Sequence, residues 1–181
     1  MTIRTCLAAI MATALTISAP TLAQTPAAPR EPACVEDSAF KQMDFTLGLW
    51  SVYDEKGAER AQVLMESAIN GCAILETWSS FDGTKVTGVG LFNYSRILKG
   101  WTYAWASQNG SSTLFLGHQV EPDNIRYVTS RPGEDGTTVV RHWSLIALPD
   151  GRVRELSVKT SDGGATWATE YDLYWVKKPQ S

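Results

Sequence analysis

Hydrophobic and polar positions alternate with a period close to two along most of the chain. The segments "CAILETWSSF" (72–81), "GWTYAWAS" (100–107), "TTVVRHWSLIAL" (137–148) and "ATEYDLYWVK" (168–177) are rich in Val, Ile, Thr, Trp and Tyr. β-branched and aromatic side chains suit a pleated, half-buried surface, so these segments predict strands. Turn signals separate them at short intervals: "DEKG" (54–57), "NG" (70–71), "DG" (82–83), "KG" (99–100), "NG" (109–110), "EPDN" (121–124), "RPGEDG" (131–136), "PDG" (149–151) and "SDGG" (161–164). Asn-Gly and Asp-Gly supply the positive-φ residues that tight hairpins demand.

The pattern predicts an all-β protein of roughly ten sequential antiparallel strands. A sandwich or a closed barrel would both accommodate them. Sequential hairpins favour a meander, and closure removes exposed strand edges, so the expectation is an up-and-down barrel. One short N-terminal helix is expected over "DSAFKQMDF" (37–45), with Asp37 or Ser38 as its cap and Phe40 and Met43 three apart. "MDFTLGLW" (43–50) leads into the first strand. Gly48 would let the chain pass close to the barrel base, and Trp50 would plug that end under a cation from a late strand. Phe45 and Leu47 would seal the helix over it, leaving any pocket at the other end.

Alternation groups side chains by face without saying which face is inside. Glu76 shares parity with Ile74 and Trp78, and Trp101, Tyr103 and Trp105 share one face. Arg141 lies with Val139, Trp143 and Leu145; His142 lies with Val140, Ser144 and Ile146. Both faces mix polar and apolar residues, as a barrel with a partly polar interior would.

Length and composition change the picture at the N-terminus. The chain has 181 residues, one domain's worth. Residues 1–23 read as a secretory signal peptide: Arg4, then the uncharged "CLAAIMATALTISA", shorter than a membrane span of ~20 residues, then small residues before a cut after Ala23. Residues 24–36 read as a disordered leader, Pro/Ala-rich through Pro32, and 37–178 as the barrel domain. The mature chain is expected to be periplasmic or secreted and not inserted in the membrane. Cleavage would leave Cys34 and Cys72, which in an oxidising compartment pair as a disulfide in preference to acting as reactive thiols. The net charge of −3, with no basic cluster, argues against nucleic acid as a partner.

Candidate chemistry is sparse. "TSDGGATW" (160–167) fits an Asp-box pattern, with Asp162 accepting from turn amides, Gly164 left-handed and Trp167 packed back over the hairpin. A sialidase-type propeller needs several regularly spaced copies. One copy reads as a hairpin stabiliser rather than a catalytic marker. Glu76 is a carboxylate on a mostly apolar face, costly unless paired. The plain reading is an ion pair with Arg141 or Arg154, or an outward position; the sharper one is a ligand anchor or general base. His118 and His142 lack acidic residues at ligand spacing, so no metal site is expected, and a structural or exposed role is preferred over a haem ligand. No cofactor is called for by any phosphate-binding, zinc-protease or nucleophile-elbow motif. The candidate pocket lining is Glu76, Trp78, Trp101, Tyr103, Trp105, Arg141, Trp143 and Arg154. Ordinary core packing is the alternative for the aromatics.

"DFTLGLW" (44–50), "NGCAILETW" (70–78), "GWTYAWASQNG" (100–110), "DGRVRELSVKTSDGGATW" (150–167) and "YDLYW" (171–175) together resemble lipocalin-like, or calycin-type, secreted bacterial domains of unknown function. The resemblance implies a β-barrel with a central cavity and no established activity. This chain departs from the family in two places. Tyr174 is followed by Trp175, Val176 and Lys177 where Tyr then Arg is frequent, and Tyr103 stands where a polar amide is common. Three functions follow in order of preference. The first is binding of a small apolar or amphipathic molecule. The second is an isomerase, cyclase or hydrolase with Glu76 as acid/base. The third is a protein-interaction module without a ligand.

Overall fold

The computed structural model describes residues 33–81 and 87–179. The signal peptide assigned to 1–23 and the leader through Pro32 lie outside the described residues. Ten strands follow in chain order: β1 Gly48–Asp54, β2 Glu59–Ala68, β3 Ala73–Ser80, β4 Gly88–Ser95 and β5 Gly100–Ser107, then β6 Ser112–Glu121, β7 Asn124–Pro132, β8 Thr138–Ala147, β9 Val153–Thr160 and β10 Ala168–Lys177. Each pairs antiparallel with its sequence neighbours, and β1 pairs with β10 to close the barrel. The up-and-down topology expected from the turn spacing is therefore the observed one, compatible with a lipocalin-like barrel.

The helical segment expected at 37–45 takes the tighter 3-10 form, as turns at Ser38–Lys41 and Asp44–Thr46. Asp37 caps the first, its Oδ1 accepting from Ala39 N at 3.1 Å. Cys34–Glu36, assigned by sequence to the leader, forms a further 3-10 turn. Cys34 is disulfide-bonded to Cys72, a sequence separation of 38, which ties this turn to the start of β3.

These turns close one end of the barrel. Trp50 donates Nε1–H to Thr46 O at 2.7 Å, and Lys177 Nζ of β10 sits 5.0 Å from the centre of its ring. Gly48 has φ +125°, and a Cβ there would press on Lys177 Cε at 3.0 Å. Only glycine takes that backbone without strain while admitting the lysine. Met43 is fully buried beneath, accepting from Tyr127 OH at its sulfur, and Trp101 donates to Gln42 Oε1 at 3.0 Å.

Inward parity is now fixed. Ile74, Glu76 and Trp78 of β3 point in, as do Trp101, Tyr103 and Trp105 of β5, Trp143 and Leu145 of β8, and Val153, Glu155 and Ser157 of β9. The outer face carries exposed apolar residues on neighbouring strands: Leu75 is registered with Leu91, and Leu116 with Val128.

Candidate functional site

Midway along the barrel, rings form a floor. Phe92 stacks on Tyr103 at 4.1 Å, and Trp143 lies 4.9 Å from both Tyr103 and Tyr127. Offset and tilted pairs at these separations each add about 0.5–1.5 kcal/mol beyond burial. Glycines make room for them. A Cβ at Gly90 of β4 would collide with Glu76 Oε2 and Tyr103 Cε2, and one at Gly88 would strike Trp105 Cζ2 at 2.6 Å. Gly117 of β6 does the same for Tyr127. Bare positions on β4 and β6 thus let large side chains of neighbouring strands lie flat across them.

Above the floor is a cavity of about 610 Å³ that opens at the end opposite Trp50. Its walls include Trp78, Trp105, Phe115 and Leu173, and its base Glu76, Tyr103, Trp143 and Glu155. Two ion pairs stand at the mouth. Asp54 of β1 accepts from Arg60 of β2, at 2.9 Å from Nε and 2.6 Å from Nη2. Arg141 of β8 pairs with Glu170 of β10, which also accepts from Ser157 Oγ at 3.0 Å. A β-bulge between Thr169 and Tyr171 breaks the alternation of β10 there. Glu170 can therefore face Arg141 while Tyr171 lines the cavity.

The base holds two buried carboxylates. Glu76 is 4% exposed and Glu155 6%. Tyr103 OH donates to Glu76 Oε2 at 2.6 Å. Glu155 accepts from two indoles, Trp143 Nε1–H at 3.0 Å on Oε1 and Trp175 Nε1–H at 2.9 Å on Oε2. Burial pushes the Glu76 carboxyl up to about 8, with the Tyr103 hydrogen bond opposing and the Glu155 charge reinforcing. Burial likewise raises Glu155 to about 7 against its indole donors. Both acids therefore titrate near neutrality, a range in which a carboxyl can hold or release a proton.

Six of the residues expected to line a pocket meet at this cavity: Glu76, Trp78, Tyr103, Trp105, Arg141 and Trp143. Trp101 shares their parity but lies lower, in the sealed end beside Gln42. Arg154 is on the outer face, bonded to Asp172 at 2.8 and 2.6 Å. The ion pair expected for Glu76 is not formed: Arg141 and Arg154 are both committed to other acids. Nor does Glu76 face outward, because Gly90 leaves space for it inside.

Glu155 and Tyr171 escaped the sequence reading. In "VRELSVK" the apolar Leu156 and Val158 alternate against Glu155 and Ser157, and it is the polar set that points inward. The usable signal was Val153, which has Glu155's parity and pairs with Trp175.

The Asp box lies at the open end, between β9 and β10. Asp162 accepts from Thr166 N at 3.0 Å, Thr166 Oγ1 at 2.6 Å and Thr160 Oγ1 at 2.6 Å. These bonds, Thr160's first, hold its carboxyl far below the usual range. Trp167 packs against the His142 ring at 4.3 Å, on the outer side of β8. His118 is exposed, its Nδ1 3.3 Å from Lys99 O. Among the described residues no three His, Cys, Asp or Glu side chains group as a metal site.

No family model matches the chain, and no curated protein matches it in sequence.

Proposed function

We propose that this protein is an exported, lipocalin-like barrel that binds a small amphipathic molecule in its cavity. The observation that carries this reading is the 610 Å³ space itself, open to solvent, walled by aromatic rings and floored by a few polar groups, Glu76, Tyr103 and Glu155. That combination is typical of small-molecule sites, where apolar walls supply affinity and a few polar atoms set orientation. The Cys34–Cys72 disulfide supports an oxidising compartment, in line with a leader cleaved after Ala23.

A neutral fluorescent probe such as N-phenyl-1-naphthylamine tests the binding reading. Saturable binding is expected, with energy transfer from the cavity tryptophans. Thr113→Trp, which places a ring into the cavity wall, should abolish it. Failure to bind, or binding indifferent to Thr113→Trp, would refute the reading. Mass spectrometry of protein from the native host should find Gln24 at the N-terminus.

One observation favours a second reading. Glu76 opens into a solvent-connected cavity without an arginine beside it and titrates near neutrality, as a general acid/base requires. If the cavity turns over a substrate, Glu76→Gln should stop turnover while leaving the fold intact.

A further inference from the structure

Glu76 and Glu155 are buried acids facing a cavity, with no cationic side chain among the described residues paired to either. The hydrogen bond from Tyr103 occupies Oε2 of Glu76. Its Oε1 is not a buried orphan, a state that among the described residues belongs to Asn124 Oδ1 alone; it belongs to a carboxyl that is 4% exposed and lines the open cavity, within reach of an entering group. The arginines closest to the space are directed elsewhere, Arg60 to Asp54 and Arg141 to Glu170. A buried acid pair without counter-charge is balanced either by protons or by a cation from outside the chain. The walls point to the second. Trp78, Trp105, Trp143 and Phe115 turn aromatic surface to the same volume, and the faces of such rings attract cations.

We propose that the cavity takes an organic cation, an ammonium group on a small apolar or aromatic body, with the charge against Glu76 and Glu155 and the body against the tryptophans. This rests on the binding reading above and names the class of ligand. A neutral fatty molecule, which an all-apolar barrel would select, gains nothing from the charge of the two acids or from the ring faces; an ammonium gains from both.

Binding is coupled to a proton. Near neutrality the acid pair keeps at least one proton, held between groups that titrate at about 7 and about 8. The entering cation displaces that proton to solvent, so charge balances without any other partner. Tyr103 of β5, Tyr127 of β7 and Tyr171 of β10 surround the acids, and burial first of all drives each of their hydroxyls to titrate well above the ordinary tyrosine range. They stay neutral through the relevant window. Asp54 with Arg60 and Arg141 with Glu170 are the charged groups at the mouth, each acid paired to its arginine. Glu76 and Glu155 are left to set the pH dependence.

The test compares phenylethyl-trimethylammonium, whose charge no pH alters, with its neutral carbon isostere, 3,3-dimethylbutylbenzene, by tryptophan quenching and calorimetry. The cation is expected to bind at least about tenfold more tightly. Its affinity should rise with pH between 6 and 8, by up to about tenfold per unit below the acid's titration point, with proton release into the buffer. The isostere should bind independently of pH. Glu76→Gln should erase the cation's advantage over the isostere, with an unchanged near-UV circular dichroism spectrum reporting an intact fold. Equal or tighter binding of the isostere would overturn the cation proposal and leave the binding reading standing. If neither binds, both fall. If the cation's preference and pH dependence survive Glu76→Gln and Glu155→Gln alike, the assignment to these acids is wrong.

Discussion

The two ends of one barrel interior are built from the same kinds of residue and do opposite things. At the sealed end, Trp50, Trp101 and Met43 are buried almost completely, and the polar atom of each indole is answered: Trp50 by Thr46 O, Trp101 by Gln42. At the open end, Trp78 and Trp105 flank a cavity whose base carries the carboxyls of Glu76 and Glu155. The strands themselves do not make this difference. The 3-10 turns at one end bring Phe40, Met43, Phe45 and Leu47 against the barrel, and the hairpins at the other end deliver no comparable apolar plug among the described residues. Trp175 joins the two regimes, 6.3 Å from Trp50 on one side and 6.3 Å from Trp78 on the other, while its indole N–H reaches Glu155. A tryptophan is thus structural or cavity-facing according to what covers it.

The strongest way to break the contrast is at the plug. Trp50→Ala removes a fully buried ring, its hydrogen bond and the lysine's platform. It should cost about 3–5 kcal/mol of stability in urea denaturation. Probe affinity at the open end should be unchanged under conditions where the variant remains folded; a selective loss of binding would mean the ends are not independent.

The next effect is set by the acids at the cavity base. Glu76 and Glu155 titrate higher in the folded protein than in the unfolded chain. Between about 4.5 and 8 for Glu76, and about 4.5 and 7 for Glu155, the unfolded state releases protons that the folded state keeps. Stability from these groups is therefore full below the unfolded value and lost as pH rises through the folded one. Unliganded wild type should weaken by on the order of a few kcal/mol across that interval. Glu76→Gln should flatten the decline and be the more stable protein at pH 8. An identical pH profile for the two would show that Glu76 does not sit buried and unneutralised.

The smallest effect is expected at the Asp box. Asp162→Ala should lower the melting temperature less than any change inside the barrel, while speeding amide exchange at Thr166, whose N–H it holds. An equal effect on probe binding and on turn protection would tie this hairpin to the cavity rather than to local stability.

Much of the barrel was legible because its causes are local. Val-, Thr- and aromatic-rich runs between Asn-Gly and Asp-Gly turns specify hairpins one at a time, and sequential hairpins leave few ways to pair. Gly48, Trp50 and a late cation could be read together because the positive-φ glycine and the bulky ring lie within one turn of chain. The cavity was only half legible. Period-two alternation says that Trp101, Tyr103 and Trp105 share a face; it does not say that Trp101 sits in the sealed end and Trp105 at the mouth. In β9 hydrophobicity points the wrong way: Leu156 and Val158 face out and Glu155 faces in.

The sequence by itself determined the strands, their order and the plugged end, since each rests on neighbours in the chain, and it named Cys34 and Cys72 as the disulfide partners. Tertiary structure alone decided which face is inside, the height of each residue along the barrel and the company Glu76 keeps. Those depend on closure. Only when β1 meets β10 do Trp175, Glu155 and Trp143 converge across the interior, and only Gly90 on the neighbouring strand leaves Glu76 room beneath Tyr103. The acid pair and its cavity are properties of the closed ring, made by residues that no single strand brings together.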